Sequence, residues 1–217
     1  MNDSTNENNL LDKHRLEALL DGMFAISMTI LVLNIEVPPN IGISGRGALL
    51  IALQEMMPTF LNYVISFIIL ASLWVNNNHQ FRYIKVTEKT HLWLHLWSLL
   101  FIVLIPFSTS LMGDYPGLIV AELFFHLNLL CLGILSIIKW DYIIKHQYLL
   151  HQDKYGISVI RKDRRRSLAF IIVPLIAICV TFITPDWSTL SYVLIPLVAS
   201  LLRKSKIPTS DIRNQLP

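Results

Sequence analysis

From residue 15 onward, long apolar runs alternate with short polar breaks that carry proline, aspartate or asparagine. A helix that crosses the hydrocarbon of a bilayer needs about 20 mainly apolar residues, because lipid offers its backbone groups no hydrogen-bond partner. Six segments read this way: 15–35, 58–79, 92–112, 117–138, 168–184 and 187–202. The first ends before Glu36, Pro38 and Pro39. Pro58 opens the second, whose apolar body reaches Val75 before the polar run 76–80. The third carries Pro106, which kinks or loosens it, and stops at Gly113 and Asp114; the fourth follows Pro116. The last two are shorter, are separated by Pro185 and Asp186, and read as a helical hairpin. The pattern predicts a single all-α integral membrane domain with six transmembrane helices.

Charge orients these helices. Of the 18 basic residues, 17 fall on one side of the alternation and only Arg46 on the other, which predicts that both termini are cytoplasmic. Residues 139–167 then form a cytoplasmic linker that continues the fourth helix into water and lies near the membrane surface. Within it Arg164, Arg165 and Arg166 read either as a stop-transfer anchor or as a contact for anionic lipid. Composition agrees with a membrane protein: 53% of residues are hydrophobic and 15% charged, against about 25% charged in a soluble domain. The net charge of +3 is explained by topology, so nucleic acid is set aside as a partner. The polar first nine residues lack the basic and small-residue features of a cleaved signal. Cys131 and Cys179 lie in apolar runs, where cysteine behaves as a small hydrophobe.

An ionisable group inside a membrane helix is costly and usually faces a bundle interior or an aqueous path. Asp21 is such a group. At about 100° per residue, Arg15 and Asp21 lie roughly 120° apart on their helix, so each needs a partner from elsewhere. His79 is at matching depth, with Trp74 close by. A network of Arg15, Asp21 and His79 locking the first two helices is one reading; an anchoring Arg15 and an interfacial His79 is the other. On the same helix Ile26, Ile30 and Leu33 make an apolar stripe at i, i+4, i+7, with Gly22 and Thr29 beside it. Small residues at Gly22, Ala25 and Ser27 permit close helix approach, which favours a packed stripe over a lipid-facing one. Two i, i+4 pairs complete the candidates. His91 and His95 read as interfacial, beside Trp93 and Trp97; Glu122 and His126 leave open a proton relay, and with it a proton-coupled secondary transporter. A metal centre needs three or four ligands, and neither a HExxH motif nor a dense histidine cluster occurs. No catalytic triad or phosphate-binding loop is visible, so neither an enzyme nor a cofactor is expected.

Arg15, then Asp21-Gly22, followed by FAISMTILVLNI, resembles the R-x-x-x-F-S-D-G signature of the transmembrane protein 175 family of potassium channels, with Leu19 and Leu20 in place of its Phe and Ser. Trp74 and His79 look like that family's residues at the end of helix two, and residues 105–111 look like its PFSTS segment in helix three. The resemblance implies a multi-pass channel in which helix one lines a central pore. A single set of six spans is similar to the prokaryotic members, which implies a homotetramer in the plasma membrane of a prokaryotic cell. It further implies Ile26, Ile30 and Leu33 as pore-lining constrictions and Thr29 as the hydroxyl that sets cation preference. Arg15, Asp21, His79 and Trp74 are implied as an inter-helix network. With no TVGYG segment, selectivity would not come from carbonyl loops of that kind. A potassium-permeable, weakly selective leak channel is expected.

Overall fold

The computed structural model describes residues 10–11, 13–36, 46–151 and 155–204. The polar first nine residues, Pro38, Pro39, Lys154, Lys206 and Arg213 lie outside the described residues. Eight α-helices are described: α1 (Lys13–Leu33), α2 (Arg46–Glu55), α3 (Met57–Tyr83), α4 (Lys89–Asp114), α5 (Ile119–Lys145), α6 (Ile157–Ser167), α7 (Ala169–Thr181) and α8 (Ile195–Lys204). Two 3-10 segments, Gln147–Leu149 and Pro185–Leu194, and two short strands, β1 (Leu10–Leu11) and β2 (Thr87–Glu88), complete them. Four helices, α1, α3, α4 and α5, are long and apolar enough to cross a membrane. At 1.5 Å per residue, 21 to 27 residues extend about 32 to 40 Å.

The helix ends run past the apolar bodies wherever polar residues find partners in the protein. α3 continues through the polar run 76–80 to Tyr83 because Asn76 Nδ2 donates to Ser136 Oγ on α5 (3.0 Å) and Asn76 Oδ1 accepts from Ser167 Oγ (2.7 Å). α5 runs to Lys145, and the chain after it folds back onto the end of α3. Lys85 N donates to the Leu149 carbonyl (2.7 Å), His151 N donates to the Tyr83 carbonyl (3.0 Å), and Leu149, Leu150 and Ile160 are buried there. The described parts of 139–167 thus pack against the end of α3.

The last two apolar segments are built differently from the first four. α7 has 13 residues and follows α6 after the single residue Leu168. The segment 187–202 is not one regular helix: Pro185–Leu194 is 3-10 and only then does α8 begin. Ten residues at about 2.0 Å and ten at about 1.5 Å extend some 35 Å together, so this mixed rod is as long as a membrane helix.

α4 and α5 are the most buried of the long helices and α1 and α3 the least. α5 packs against α4 on one side and α7 on the other. The second contact is close: a Cβ built on Gly133 of α5 would run into the Phe170 carbonyl of α7.

Candidate functional site

At about 100° per residue, α1 presents three faces. Leu16, Leu20, Phe24, Ser27 and Leu31 are buried against α3 and α4. About 120° round, Gly22, Ile26, Thr29, Ile30 and Leu33 are uncovered: Ile26 is 53% exposed and Leu33 76%, and a Cβ on Gly22 would meet nothing within 4 Å. Arg15 and Leu19 continue this line toward the helix start and are exposed too. The third face carries Asp21, Ala25 and Val32. An apolar stripe left bare on a helix whose opposite face is already packed calls for lipid or another protein surface.

The Thr29 hydroxyl donates to the Ile26 carbonyl at 2.8 Å. That bond uses its single proton, so the oxygen presents only lone pairs outward, the arrangement suited to a cation and not to an anion.

α1 is held at three heights. At its start, β1 pairs antiparallel with β2, and Lys13 Nζ donates to the Phe81 and Ile84 carbonyls at the end of α3, at 3.0 and 3.1 Å. Midway, Trp74 Nε1 donates to Asp21 Oδ1 at 2.8 Å. At its end, Asn34 Nδ2 donates to the Pro106 carbonyl at 2.8 Å. The segment after Pro106 is itself pinned. The hydroxyls of Ser108 and Thr109 each lie 2.9 Å from the Ile105 carbonyl, and Thr109 Oγ1 lies 2.8 Å from Ser66 Oγ of α3.

Of the four network residues, one chain brings together Asp21 and Trp74. His79 lies five positions beyond Trp74, about 140° round α3, and lines an open groove with Asp163 and Arg166. Arg15 is exposed on α1.

Glu122 and His126 are enclosed (3% and 0% exposed) and sewn to the 3-10 segment. His126 Nδ1 is 2.9 Å from the Tyr192 hydroxyl and Nε2 is 3.0 Å from Ser188 Oγ. Ser188 and Thr189 lie 2.9 and 3.2 Å from Glu122 Oε2 and donate toward it. This is a closed polar lock between α5 and the Pro185–Leu194 rod. His91 and His95 correct their sequence reading. They are fully buried, with Thr87 Oγ1 2.7 Å from His91 Nδ1 and the two Nε2 atoms 3.3 Å apart. Trp93 and Trp97, on the other side of α4, are the exposed pair. Among the described residues no three or more His, Cys, Asp or Glu converge as metal ligands. The sequence reading also missed Lys139. Counted as a linker charge, it is buried in α5 with its Nζ 3.5 Å from Asn77 Oδ1; its place within the continuing helix was the signal.

These features define a multi-pass helical membrane protein whose first helix is clamped in place yet keeps one apolar face bare. The sequence profile described as "Endosomal/lysosomal potassium channel TMEM175" matches residues 15–106, from Arg15 to Pro106. A potassium channel of Chamaesiphon minutus is 30% identical over 156 residues, 70% of this chain and 76% of that relative. A potassium channel of Streptomyces collinus is 35% identical over 101 residues, 46% of this chain; the match spans about half (48%) of that relative. The crystal structure of a lysosomal potassium-selective channel TMEM175 homolog from Chamaesiphon minutus superposes with a TM-score of 0.74 at 23% identity, over 89% of this chain and 98% of that one. The chain belongs to the TMEM175 family, whose named members are ion channels and not enzymes.

Proposed function

We propose that the protein is a potassium-permeable, weakly selective cation leak channel: a homotetramer of six-span subunits with both termini in the cytoplasm, in the plasma membrane of a prokaryotic cell. The observation that carries this reading is the bare face of α1, apolar from Leu19 to Leu33 and interrupted by one hydroxyl. Four copies of that face around an axis would form rings of Ile26, Ile30 and Leu33. Narrow apolar rings exclude water and block ions; wider ones wet and conduct. A ring of Thr29 oxygens, each with its proton already spent on a backbone carbonyl, would replace part of a cation's hydration. Four such ligands are few, so discrimination between potassium and sodium is modest. Asp21 and Trp74 form the bonded pair of the inter-helix network; Arg15 and His79 would complete it in the assembled channel. No cofactor takes part.

The test is potassium flux from liposomes. Ile26→Asn and Ile30→Asn wet the rings and raise flux, while Thr29→Ala lowers the potassium-to-sodium ratio. If polar residues on the stripe leave flux unchanged while substitutions on other helices alter it, the pore lies elsewhere.

A further inference from the structure

The polar and basic residues near the end of α3 border a feature that ion conduction does not use. A cavity of about 410 Å³ lies open between α3, α6, α7 and α8. Its floor and walls are mainly apolar, with Phe67, Ala71 and Val75 of α3, Phe170 of α7 and Ile195 of α8, and only Ser72 and Asn76 of α3 add uncharged polar groups. Charge is confined to one end, where His79, Asp163 and Arg166 line it. From Phe67 to His79, α3 rises about 18 Å, close to the roughly 15 Å of one leaflet of a 30 Å hydrocarbon layer. Phe67 lies near the middle of α3 and His79 near its end, so the trough runs from the middle of the membrane to one interface.

The charges at the mouth select its occupant. Arg164 is taken: its Nε and Nη2 both donate to the Asp141 carboxylate, the second at 2.9 Å, and that bond raises the guanidinium pKa further. Arg166 has no hydrogen-bond or ion-pair partner among the described residues and faces the cavity. The carboxylate beside it, Asp163, already accepts from the Tyr83 hydroxyl at 2.6 Å. Arg82 follows His79 at i+3 on α3, on the same side of the helix. Two guanidinium groups against one engaged carboxylate leave a positive mouth above an apolar trough.

We propose that this groove is a binding site for an anionic phospholipid, one acyl chain lying along the trough and the phosphate meeting Arg166. A zwitterionic lipid would bring its own cation to a mouth that is already positive. An arginine near the membrane surface is worth about a fivefold change in affinity for anionic lipid.

Native mass spectrometry and thermal unfolding of the detergent-purified protein test this, with phosphatidylglycerol, phosphatidylcholine or inorganic phosphate added. Wild type retains phosphatidylglycerol and melts at a higher temperature with it, and does neither with phosphatidylcholine or phosphate. Arg166→Gln binds phosphatidylglycerol about fivefold more weakly, and because Arg166 is exposed its lipid-free melting point is unchanged. Ala71→Trp fills the trough and abolishes retention. Equal binding of both lipids, or wild-type binding by Arg166→Gln, overturns the proposal. So does a disulfide between copies through Ala71→Cys in a background lacking Cys131 and Cys179, which would show the groove covered by a second copy of the chain.

Discussion

Thr29 has one proton and gives it to the Ile26 carbonyl, so everything its oxygen offers the outside is electron density. Thr29→Val keeps the shape and removes that density; the potassium-to-sodium permeability ratio of the reconstituted protein falls toward one while the assembly stays intact. Trp74→Phe deletes a hydrogen bond to a carboxylate on the exposed flank of α1. The expected cost is about 1.5 kcal/mol, the low end for a charged acceptor because water competes. It registers as a lower melting temperature and a smaller fraction of assembled protein on size exclusion, with the permeability ratio unchanged. Glu122 receives Ser188 and Thr189 in a fully enclosed pocket. Glu122→Gln sets an amide against those two hydroxyls, and a mismatched buried polar group costs about 1–3 kcal/mol. Lower thermal stability with unaltered potassium flux is the outcome for a structural lock; abolished flux from a stably folded variant would instead support a proton-coupled transporter.

Among the elements, α1 and α4 differ in how much of them the sequence made legible. The length of α1, its apolar stripe and the oddity of Asp21 could be read directly, because helical periodicity ties spacing to face. Its clamps by Lys13 and Asn34 could not: each joins residues about 70 positions apart, and nothing in local pattern says which carbonyl a distant helix will present. The polar run 76–80 looked like the end of a helix. It continues as helix because Ser136, Lys139 and Ser167 meet it. His91 and His95 were read from their neighbours Trp93 and Trp97, which belong to the opposite side of α4. The 3-10 form of Pro185–Leu194 was also hidden, since composition alone does not separate it from an α-helix. Gly133 marks a close contact between α5 and α7. Gly133→Leu drives a side chain into the Phe170 backbone; overpacking typically costs 1–3 kcal/mol, and a backbone obstacle puts this substitution at the upper end. Expression in folded form drops sharply, as read by fluorescence-detected size exclusion, whereas Gly22→Ala, with open space around it, folds as wild type.

For the whole molecule, the asymmetry of burial is what matters. α4 and α5 form a covered centre, and α1 stands at the edge with its own inner face satisfied. A helix so firmly clamped on one side and so apolar on the other is suited to a shared axis, where each copy supplies one wall. The membrane class and the family were legible because composition, loop charge and the Arg15, Asp21-Gly22 signature all lie in the sequence itself. The return of the chain after α5 onto the end of α3 was not, because it rests on contacts between residues far apart in sequence. The most direct measurement places single cysteines at Ile30 and at Val32 in a background lacking Cys131 and Cys179, and follows potassium flux from liposomes before and after a charged thiol reagent. Both positions are exposed in the single chain, but they lie about 160° apart on α1. Reaction at Ile30→Cys blocks flux and reaction at Val32→Cys leaves it running if the bare stripe lines the pore; unchanged flux through a fully modified Ile30→Cys channel would contradict it.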